Sequence, residues 1–469
     1  MSGAAVQAGA AGRPEIKENP MSTARVWSLL LSMAIPVMLS TAVQSMYNIV
    51  DGIFVSQISE EAMAAITFAN PVVAVLIAVG SGIAVGMNTM LSHGLGKKDQ
   101  KQVDDSASAA MWLVLACGLL SLLAGLFLTR PIMAMQTEDI LIREEGVAYM
   151  QVYLCLGAAS IAQMVFERML IATGKTMYSM ISQGVGGLLN VFLDYALIFG
   201  HFGAPEMGIA GAALATVASQ TVAALIALYL NVVKNREVRL RFTFLPPSYA
   251  LGRVIYLGAP TAVILSLNSF MMVNYNAVLN RFSSTAVAVF GACCRVTGFF
   301  YAILNALCSA AIPVIAYNHG AGKKERIDQA IRFGYLYAAV LMAFGTVLCV
   351  GFPRIFLRMF NATDEMIAIG VWGMRMLCCC YVVSSVRNMS NCILQALGRS
   401  VTSMLIDLSR NYAVLIPAAW LLSLTGNLNA VWLSVPAADL VSAAVGFVLM
   451  LRAYRRIVRP MGIRLTANV

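Results

Sequence analysis

Twelve apolar runs, each long enough to cross a bilayer as a helix, follow one another along the chain. A transmembrane helix needs about 20 predominantly apolar residues. Runs of that length lie at 27–57, 63–91, 106–128, 147–171, 177–200, 208–233, 254–280, 285–315, 330–352, 367–397, 401–424 and 429–451. The pattern predicts an all-α integral membrane protein with twelve transmembrane helices.

Composition agrees with this pattern. Of the 469 residues, 59% are hydrophobic and 12% are charged, and the mean hydropathy is +0.78. Soluble globular proteins carry about 25% charged residues, so the numbers exclude an ordinary water-soluble enzyme. The ten cysteines lie in apolar runs without a zinc-binding spacing, and we interpret them as reduced packing residues.

The net charge of +10 follows the positive-inside rule, so it indicates membrane orientation rather than a nucleic-acid partner. Lys and Arg are concentrated in the connections on the side of the N-terminus. The opposite connections carry Arg130, Arg143, Arg281, Arg354 and Arg358. We therefore expect both termini in the cytoplasm and the chain in a cell membrane, with a bacterial plasma membrane favoured.

Two motifs of the first half recur in the second half in the same order. SHGLGKKDQ at 92–100 corresponds to NHGAGKKER at 318–326, and GKTMYSM at 174–180 corresponds to GRSVTSM at 398–404. Pro36 and Pro260 occupy matching places in the first and seventh spans. Each repeat holds six spans, an even number, so the two halves have the same orientation in the membrane. The repeat predicts two pseudo-symmetric six-helix lobes, as in alternating-access transporters.

These observations divide the chain into five parts. We expect a disordered cytoplasmic N-terminus at 1–26, an N-lobe at 27–233, a cytoplasmic linker at 234–253, a C-lobe at 254–453 and a cytoplasmic tail at 454–469. The N-terminus lacks the charged-then-apolar order of a signal peptide, so we expect the first span to remain in the mature chain.

The first span carries a polar stripe. At 100° per residue, Pro36, Ser40, Gln44, Tyr47 and Asp51 fall within an arc of about 80°. Lipid cannot satisfy such a stripe, so it faces protein or water. Proline removes a backbone hydrogen bond and predicts a helix bend here. The alternative for the carboxylate, a cap at the outer helix end, is disfavoured because GIFVSQIS continues beyond it.

Polar residues in the fifth and sixth spans reach a similar depth. Asn190 and Asp194 are four residues apart on one helix face, and Thr216 follows the small-residue stretch GIAGAALA. Together with Asp51 they form an oxygen-rich set suited to a hard cation or a proton. The alternative is a structural hydrogen-bond network.

Charged residues of the second half suggest a different role. Asp407 lies near Arg387 and Arg410, and we expect one carboxylate to bridge the two guanidinium groups structurally. Arg295 has no partner nearby in sequence and is a candidate substrate contact. Glu167 and Arg168 are expected to snorkel toward the inner surface, and the alternative for Glu167 is contact with the cavity. The paired histidines of the repeat are assigned to cytoplasmic loops.

Over about residues 25–455, these segments resemble the multidrug and toxic compound extrusion (MATE) family. The resemblance rests on IPVMLSTAVQSMYNIVDGIFV, the loops HGLGKKD and HGAGKKE, NVFLDYALIFG followed by GIAGAALAT, and LGRSVTSM. It implies that a bent first helix and the N-lobe acids bind the coupling cation. Carried over by motif, these family positions are Pro36, Gln44, Tyr47, Asp51, Asn190, Asp194 and Thr216. Some members also use acids in the seventh and tenth spans, where this chain has none.

The resemblance implies efflux of amphiphilic, often cationic compounds in exchange for Na⁺ or H⁺. On this interpretation the cation binds at Asp51, Asn190, Asp194 and Thr216, and the substrate cavity includes Gln44, Tyr47 and Arg295. We expect no enzyme activity, no structural metal, no cofactor beyond the coupling ion, and a monomer whose partners are small drugs or metabolites and the bilayer. The alternative is a lipid-linked oligosaccharide flippase with a cationic cavity. An intramembrane enzyme is disfavoured because the spans contain no histidine.

Overall fold

The computed structural model describes residues 19–240, 247–359 and 363–461, which form helices and connections without a strand. We number the transmembrane runs α1–α12 in chain order. They are α1 Val26–Ser56, α2 Glu60–Lys97, α3 Gln100–Phe127, α4 Ile140–Cys155 with Ala158–Ala172, α5 Thr176–Phe199, α6 Gly208–Lys234, α7 Ser248–Asn280, α8 Ser284–Gly320, α9 Lys324–Gly351, α10 Asp364–Cys378 with Tyr381–Ala396, α11 Ser400–Leu408 with Ser409–Leu415 and Ile416–Ser423, and α12 Ser434–Ile457. Short helices lie at Pro20–Thr23, Thr129–Gln136, His201–Gly203, Pro353–Arg358 and Leu428–Val431.

The predicted number of spans is confirmed. In the described part of the chain, nine helices are long and apolar enough to cross a membrane, and the bent pairs α4 and α10 raise the number to eleven. The twelfth is α11, in which a π-helical stretch, Ser409–Leu415, separates two α-helical pieces. Neither piece reaches the length of about 20 residues by itself, but the whole run does.

Breaks in α4 and α10 were not predicted, and they occupy related places in the two lobes. The halves of α4 meet at 46° and those of α10 at 44°. Each break leaves backbone carbonyls that lipid cannot satisfy. Ser121 on α3 donates to the Leu154 carbonyl at 2.7 Å, and Thr346 on α9 donates to the Cys378 carbonyl at 3.2 Å. The same device therefore supports the fourth helix of each lobe.

The second repeated motif has a backbone role. Gly174 and Gly398 have φ values of +82° and +74°, a left-handed conformation that glycine adopts without a steric cost. In each lobe the next residue's N–H donates back to a carbonyl at the helix end, from Lys175 to Leu170 and from Arg399 to Leu394, both at 2.8 Å. These caps end the fourth helix and start the fifth.

The N-terminal ends of α1 and α7 cross between the lobes. Buried residues of α1 from Val26 to Ala34 belong to the C-lobe core, whereas Val55 at its C-terminal end belongs to the N-lobe core. The start of α7 packs in the N-lobe core and its C-terminal end in the C-lobe core. Pro36 and Pro260 lie close to the two crossings. The helix continues unbroken through Pro36, so the bend stays a prediction.

The repeated histidine motifs lie against each other at the C-terminal ends of α2 and α8. The expected loop placement is wrong, because His93 and His319 lie near the ends of α2 and α8, with ring centroids 5.0 Å apart. Both helices need glycine for this approach: an added Cβ would come 1.9 Å from the Tyr317 carbonyl at Gly96 and 2.1 Å from the His93 carbonyl at Gly320. These contacts close the space between the lobes.

Residues just before α1 are ordered, which corrects the expectation of a disordered segment at 1–26 for its last part. Met21 is fully buried in the C-lobe core, and Arg326 donates to its carbonyl at 3.0 Å. Asn19 donates to Glu237 at 2.9 Å, across to the N-lobe. The predicted linker is already helical from Ser248. Residues 1–18, 241–246 and 462–469 lie outside the described residues.

Candidate functional site

Two contacts between α1 and α5 fix the level of Asp51. The Tyr47 ring lies against Gly187, and the Phe54 and Tyr195 ring centroids are 6.2 Å apart. Both helices run in the same direction, so successive contacts along one helix match successive contacts along the other. Asp51 lies between the two contacts, one turn beyond Tyr47.

The α5 residues between those contacts include Asn190 and Asp194. Asn190 donates its side-chain amide to the Thr216 hydroxyl on α6 at 3.4 Å. Both α5 residues are buried, and Asp194 has no exposed surface. The structure therefore brings three of the predicted residues, Asn190, Asp194 and Thr216, to one place and sets Asp51 at the same level.

The acids of this group lack partners. Both carboxylate oxygens of Asp194 and Oδ1 of Asp51 are buried without a hydrogen bond, as is the Asn190 side-chain carbonyl. None of the ion pairs between described residues includes either acid. A closed structural network would satisfy these oxygens. An unpaired buried carboxylate is costly, so this arrangement favours binding of a proton or a cation.

A chain of side-chain amides lies next to these acids, toward the N-terminal ends of α1 and α5. Gln183 donates to Gln44 at 2.9 Å, and Gln44 donates to the Tyr47 hydroxyl at 3.4 Å. Tyr47 lines a narrow gap together with Gln163 and Gln220. The glutamines on α4, α5 and α6 were missed by the sequence analysis, although glutamine inside an apolar span was a usable signal.

Glu167 belongs to the same interior and does not snorkel, which corrects the expectation. The residue is only 8% exposed. Gln163 and Ser182 donate to its Oε1 at 3.0 and 3.4 Å. Its neighbour Arg168 points elsewhere, into a cavity of the other lobe.

The charged residues of the C-lobe form two ion pairs instead of one bridge. Arg387 pairs with Asp407, as expected, and Asn391 donates to the same carboxylate at 3.0 Å. Arg410, however, pairs with Asp439 on α12 at 2.6 Å and not with Asp407. The bridging expectation is wrong because the π-helical stretch of α11 changes the direction in which Arg410 projects.

Asp439 was missed by the sequence analysis. It has no exposed surface and also accepts a hydrogen bond of 2.6 Å from Ser384 on α10. As the single acid within the apolar run 429–451, it was visible as an intramembrane carboxylate. Its partners come from α10 and α11, so the two ion pairs tie three helices of the C-lobe together.

A cavity of about 670 Å³ lies beside these ion pairs. Its walls come mainly from α7, α8, α10 and α11, and Arg168 enters from α4. The expected substrate residue Arg295 is exposed on α8 and does not line this cavity. The preceding residue, Cys294, does line it, and one residue turns the side chain by 100° around the helix.

The described residues contain no group of three or more His, Cys, Asp and Glu placed to hold a metal ion. Hard cations also bind to carboxylate, amide and hydroxyl oxygens. The group on α1, α5 and α6 contains these oxygen types.

Comparisons with known proteins agree with the repeat. A model of the MatE family matches residues 36–196 and 260–421. The two matched segments begin at the two prolines that mark corresponding places in the lobes. The family match thus covers more than half of the chain and both lobes.

Two curated relatives match most of the chain. A FAD transporter of Shewanella oneidensis is 26% identical over 89% of this chain and 93% of its own length. A probable multidrug resistance protein, NorM of Thermotoga maritima, is 25% identical over 84% of this chain and 85% of its own length. Both relatives extend through the two lobes.

A solved structure shares the architecture. A MOP superfamily transporter from Pyrococcus furiosus has a TM-score of 0.87 and 22% identity, and the match covers 95% of this chain and 99% of the other. At this level of identity the likeness shows the fold: twelve helices in two six-helix lobes.

Proposed function

Because the chain belongs to the MatE family of membrane transporters, we propose that it is a secondary active exporter. In this proposal Na⁺ or H⁺ entering the cell drives amphiphilic, often cationic compounds outward. The observation that carries it is the pair of unpartnered acids, Asp51 and Asp194, buried beside Asn190 and Thr216. This group is the coupling site of the proposal.

Cation binding at this site changes how closely α1 and α5 can approach each other. Two ionised carboxylates at one level repel each other and draw water. Neutralising one of them by a proton, or bridging both by sodium, allows Asp51 on α1 to approach Asp194 on α5. The outer half of α1 then packs more closely on the N-lobe and narrows the space beside Gln44 and Tyr47, which displaces substrate.

Crossing helices connect this step to the other lobe. The cytoplasmic part of α1 is anchored in the C-lobe core, so a shift of its outer half pulls on both lobes. Alternating access also requires the contact between His93 and His319 to open. We propose Pro36 as the place where α1 bends, because it lies between the part held by the C-lobe and the part held by the N-lobe.

The energy of one ion is sufficient for useful export. Moving one charge inward through 100 mV supplies about 2.3 kcal/mol, which corresponds to a roughly 50-fold gradient of an uncharged substrate. One or two ions per cycle therefore suffice, and two carboxylates are enough to bind them.

Efflux of ethidium from cells that express the chain tests the proposal. We expect efflux under an imposed sodium or proton gradient, and the effective gradient identifies the ion. Asp194→Asn and Asp51→Asn should each lower efflux at least about 100-fold, because the neutral amide cannot exchange a proton or balance a cation. Glu138→Gln, at an exposed acid outside the site, should retain efflux. Full efflux in both Asp variants overturns the coupling site.

Absence of efflux under either gradient, with the protein in the membrane, favours the lipid-linked oligosaccharide flippase. The structure gives that alternative little support. Two arginines of the C-lobe cavity are already neutralised by Asp407 and Asp439, so they offer no free positive charge to an anionic cargo. Relatives also differ in the cargo that their names give: FAD for one and drugs for another. Family membership alone thus leaves the charge of the cargo open.

We propose a location in the cell membrane with both termini in the cytoplasm. This orientation is supported by the Lys and Arg distribution. It also makes the N-lobe acids accessible from outside. We propose that one chain suffices for the transport cycle, because each lobe supplies its own helices and the lobes close on each other.

A further inference from the structure

The C-lobe cavity has the size and walls of a binding site for a drug-sized molecule. Its volume of about 670 Å³ lies within the range of about 300–1,000 Å³ that is typical of ligand pockets. Apolar and aromatic residues form much of the wall, among them Met271, Tyr275 and Phe290. Asn268 and Asn305 add amides that can donate or accept hydrogen bonds.

The three arginines that line this cavity differ in whether a carboxylate neutralises them. Arg387 is neutralised by Asp407, and Arg410 is neutralised by Asp439. These pairs use specific atoms: Nη1 of Arg387, and Nε of Arg410, whose Nη1 donates to Asn411 at 3.0 Å. The two pairs contribute no net charge, so the character of the cavity depends on its third guanidinium group.

Arg168 is that third group, and no carboxylate of the described residues lies within 4 Å of it. Its Nη1 is buried without a hydrogen-bond partner. The acid next to it in sequence, Glu167, accepts its hydrogen bonds from Gln163 and Ser182 on the N-lobe side. An arginine side chain does not lose its proton in proteins, so the cavity keeps one positive charge without a carboxylate of the described residues in direct contact.

We propose that the C-lobe cavity binds compounds in which an acidic group, a phosphate or a carboxylate, is attached to a flat apolar ring. Arg168 contacts the acidic group, because a guanidinium fork matches two oxygens of such a group. The ring lies among the aromatic and Met side chains. This inference rests on the proposed export function for the direction of movement and adds a substrate class with a negative charge.

The position of Arg168 in the N-lobe supports the proposed binding site. Arg168 belongs to α4 of the N-lobe, whereas the ion pairs and the aromatic wall belong to the C-lobe. A ligand that pairs with Arg168 therefore contacts both lobes. Its departure leaves the guanidinium unpaired again, so occupancy of the cavity is linked to the relative position of the lobes.

Binding of two flavins to the purified full chain in detergent tests the proposal. Flavin mononucleotide and riboflavin have the same ring and ribityl chain, and only the first carries a phosphate. Isothermal titration should show flavin mononucleotide bound at least about tenfold more tightly than riboflavin, as expected for a charge-assisted contact. Equal affinities for the two flavins in the unsubstituted protein overturn the proposal without any variant.

Three variants assign the preference to one residue. Arg168→Gln should lower flavin mononucleotide affinity to about that of riboflavin and leave riboflavin affinity unchanged. Arg168→Lys, which keeps the charge, should retain a preference of severalfold. Arg281→Gln removes an exposed arginine at the end of α7 and should change neither affinity. A full preference in Arg168→Gln overturns the role of Arg168.

Ethidium efflux from cells and flavin binding to the purified protein, measured for the same variants, separate this inference from the proposed function. Asp194→Asn should lose ion-driven ethidium efflux and keep the preference for flavin mononucleotide. Loss of the preference in the unsubstituted protein with intact efflux rejects the anionic ligand class alone. An intact preference without efflux in any gradient rejects the antiport function and leaves the binding site in place.

Discussion

The two lobes share a backbone plan and differ in the chemistry of their acids. A shift of 224 positions relates Pro36 to Pro260 and GKTMYSM to GRSVTSM, and a shift of 226 relates the two histidine motifs. We use the shift of 224 to compare the acids. The same shift carries Asp51 onto Tyr275 and Asp194 onto Ala418, so neither N-lobe acid has a counterpart in the C-lobe. The unpartnered carboxylates are thus confined to one half of a pseudo-symmetric molecule.

The C-lobe acids arise at other positions and have partners. The shift carries Gln163 onto Arg387 and Gln183 onto Asp407, so a pair of neutral amides in one lobe corresponds to an ion pair in the other. Both versions fill related interior positions with hydrogen-bonding groups. An acid with a fixed guanidinium partner holds helices together, whereas an acid without one is free to exchange a proton or an ion.

The largest expected difference in stability between the lobes comes from removing one charge in each. Asp439→Asn should lower the free energy of unfolding by about 3–5 kcal/mol, because it leaves the buried Arg410 charge uncompensated. Asp194→Asn removes a buried carboxylate without a partner and should leave stability unchanged or increased. Thermal unfolding of both variants in the same detergent measures the difference.

Each Asn substitution removes a charge at nearly constant volume, so the two variants are matched in shape. A marked loss of stability in Asp194→Asn contradicts the comparison, because it indicates a stabilising partner for that acid. An unchanged unfolding midpoint in Asp439→Asn also contradicts the comparison, because it indicates that removing the partner of Arg410 costs no stability.

The second prediction tests whether the Arg410–Asp439 ion pair stabilises the C-lobe through its charges. Arg410→Met combined with Asp439→Leu removes both charges and should recover most of the stability lost in Asp439→Asn, since well-packed apolar residues often replace a buried pair without loss. A double-mutant cycle on thermal unfolding measures the coupling. If the double variant is no more stable than Asp439→Asn, the pair contributes through Ser384 and α10 rather than through charge.

The third prediction concerns the feature that the lobes share. Gly174→Ala and Gly398→Ala force alanine into a left-handed conformation, and each should cost roughly 1–2 kcal/mol. An added Cβ at Gly174 also comes 3.2 Å from Met21 Cε, a flexible side-chain end. The two losses should agree within about 0.5 kcal/mol. A large difference in thermal unfolding would show that the two caps are not equivalent.

Much of the fold was predictable because it depends on patterns that persist along the chain. Twelve apolar runs and two repeated motifs suffice for the helix number and the two lobes. The breaks in α4 and α10 were not predictable, because their carbonyls are satisfied by hydroxyl groups of other helices, at Ser121 and Thr346. The crossing of α1 and α7 between lobes is likewise a property of packing.

The candidate site was also predictable from the sequence only in part. Helical spacing and depth were enough to group Asp194 with Asn190 and Thr216. They were not enough for Arg410, because a π-helical stretch changes its direction, or for Arg295, where one residue decides between the cavity and the exposed face. Partners that come from distant helices cannot be identified from the sequence of a single span.

The smallest expected effect concerns the contact between Glu237 and Asn19. Burial raises the pKa of this carboxyl, and Lys175 and the hydrogen bond from Asn19 oppose the rise. A raised pKa in the folded state means that the group's contribution to stability is present at low pH and is lost as the pH rises through that pKa. As the pH rises above about 4.5, the unsubstituted protein should therefore lose stability relative to Glu237→Gln, which cannot ionise and keeps an acceptor for Asn19. The difference between the thermal midpoints of the two proteins should shift in favour of Glu237→Gln as the pH rises, and parallel curves would show that Glu237 titrates as it does in the unfolded chain.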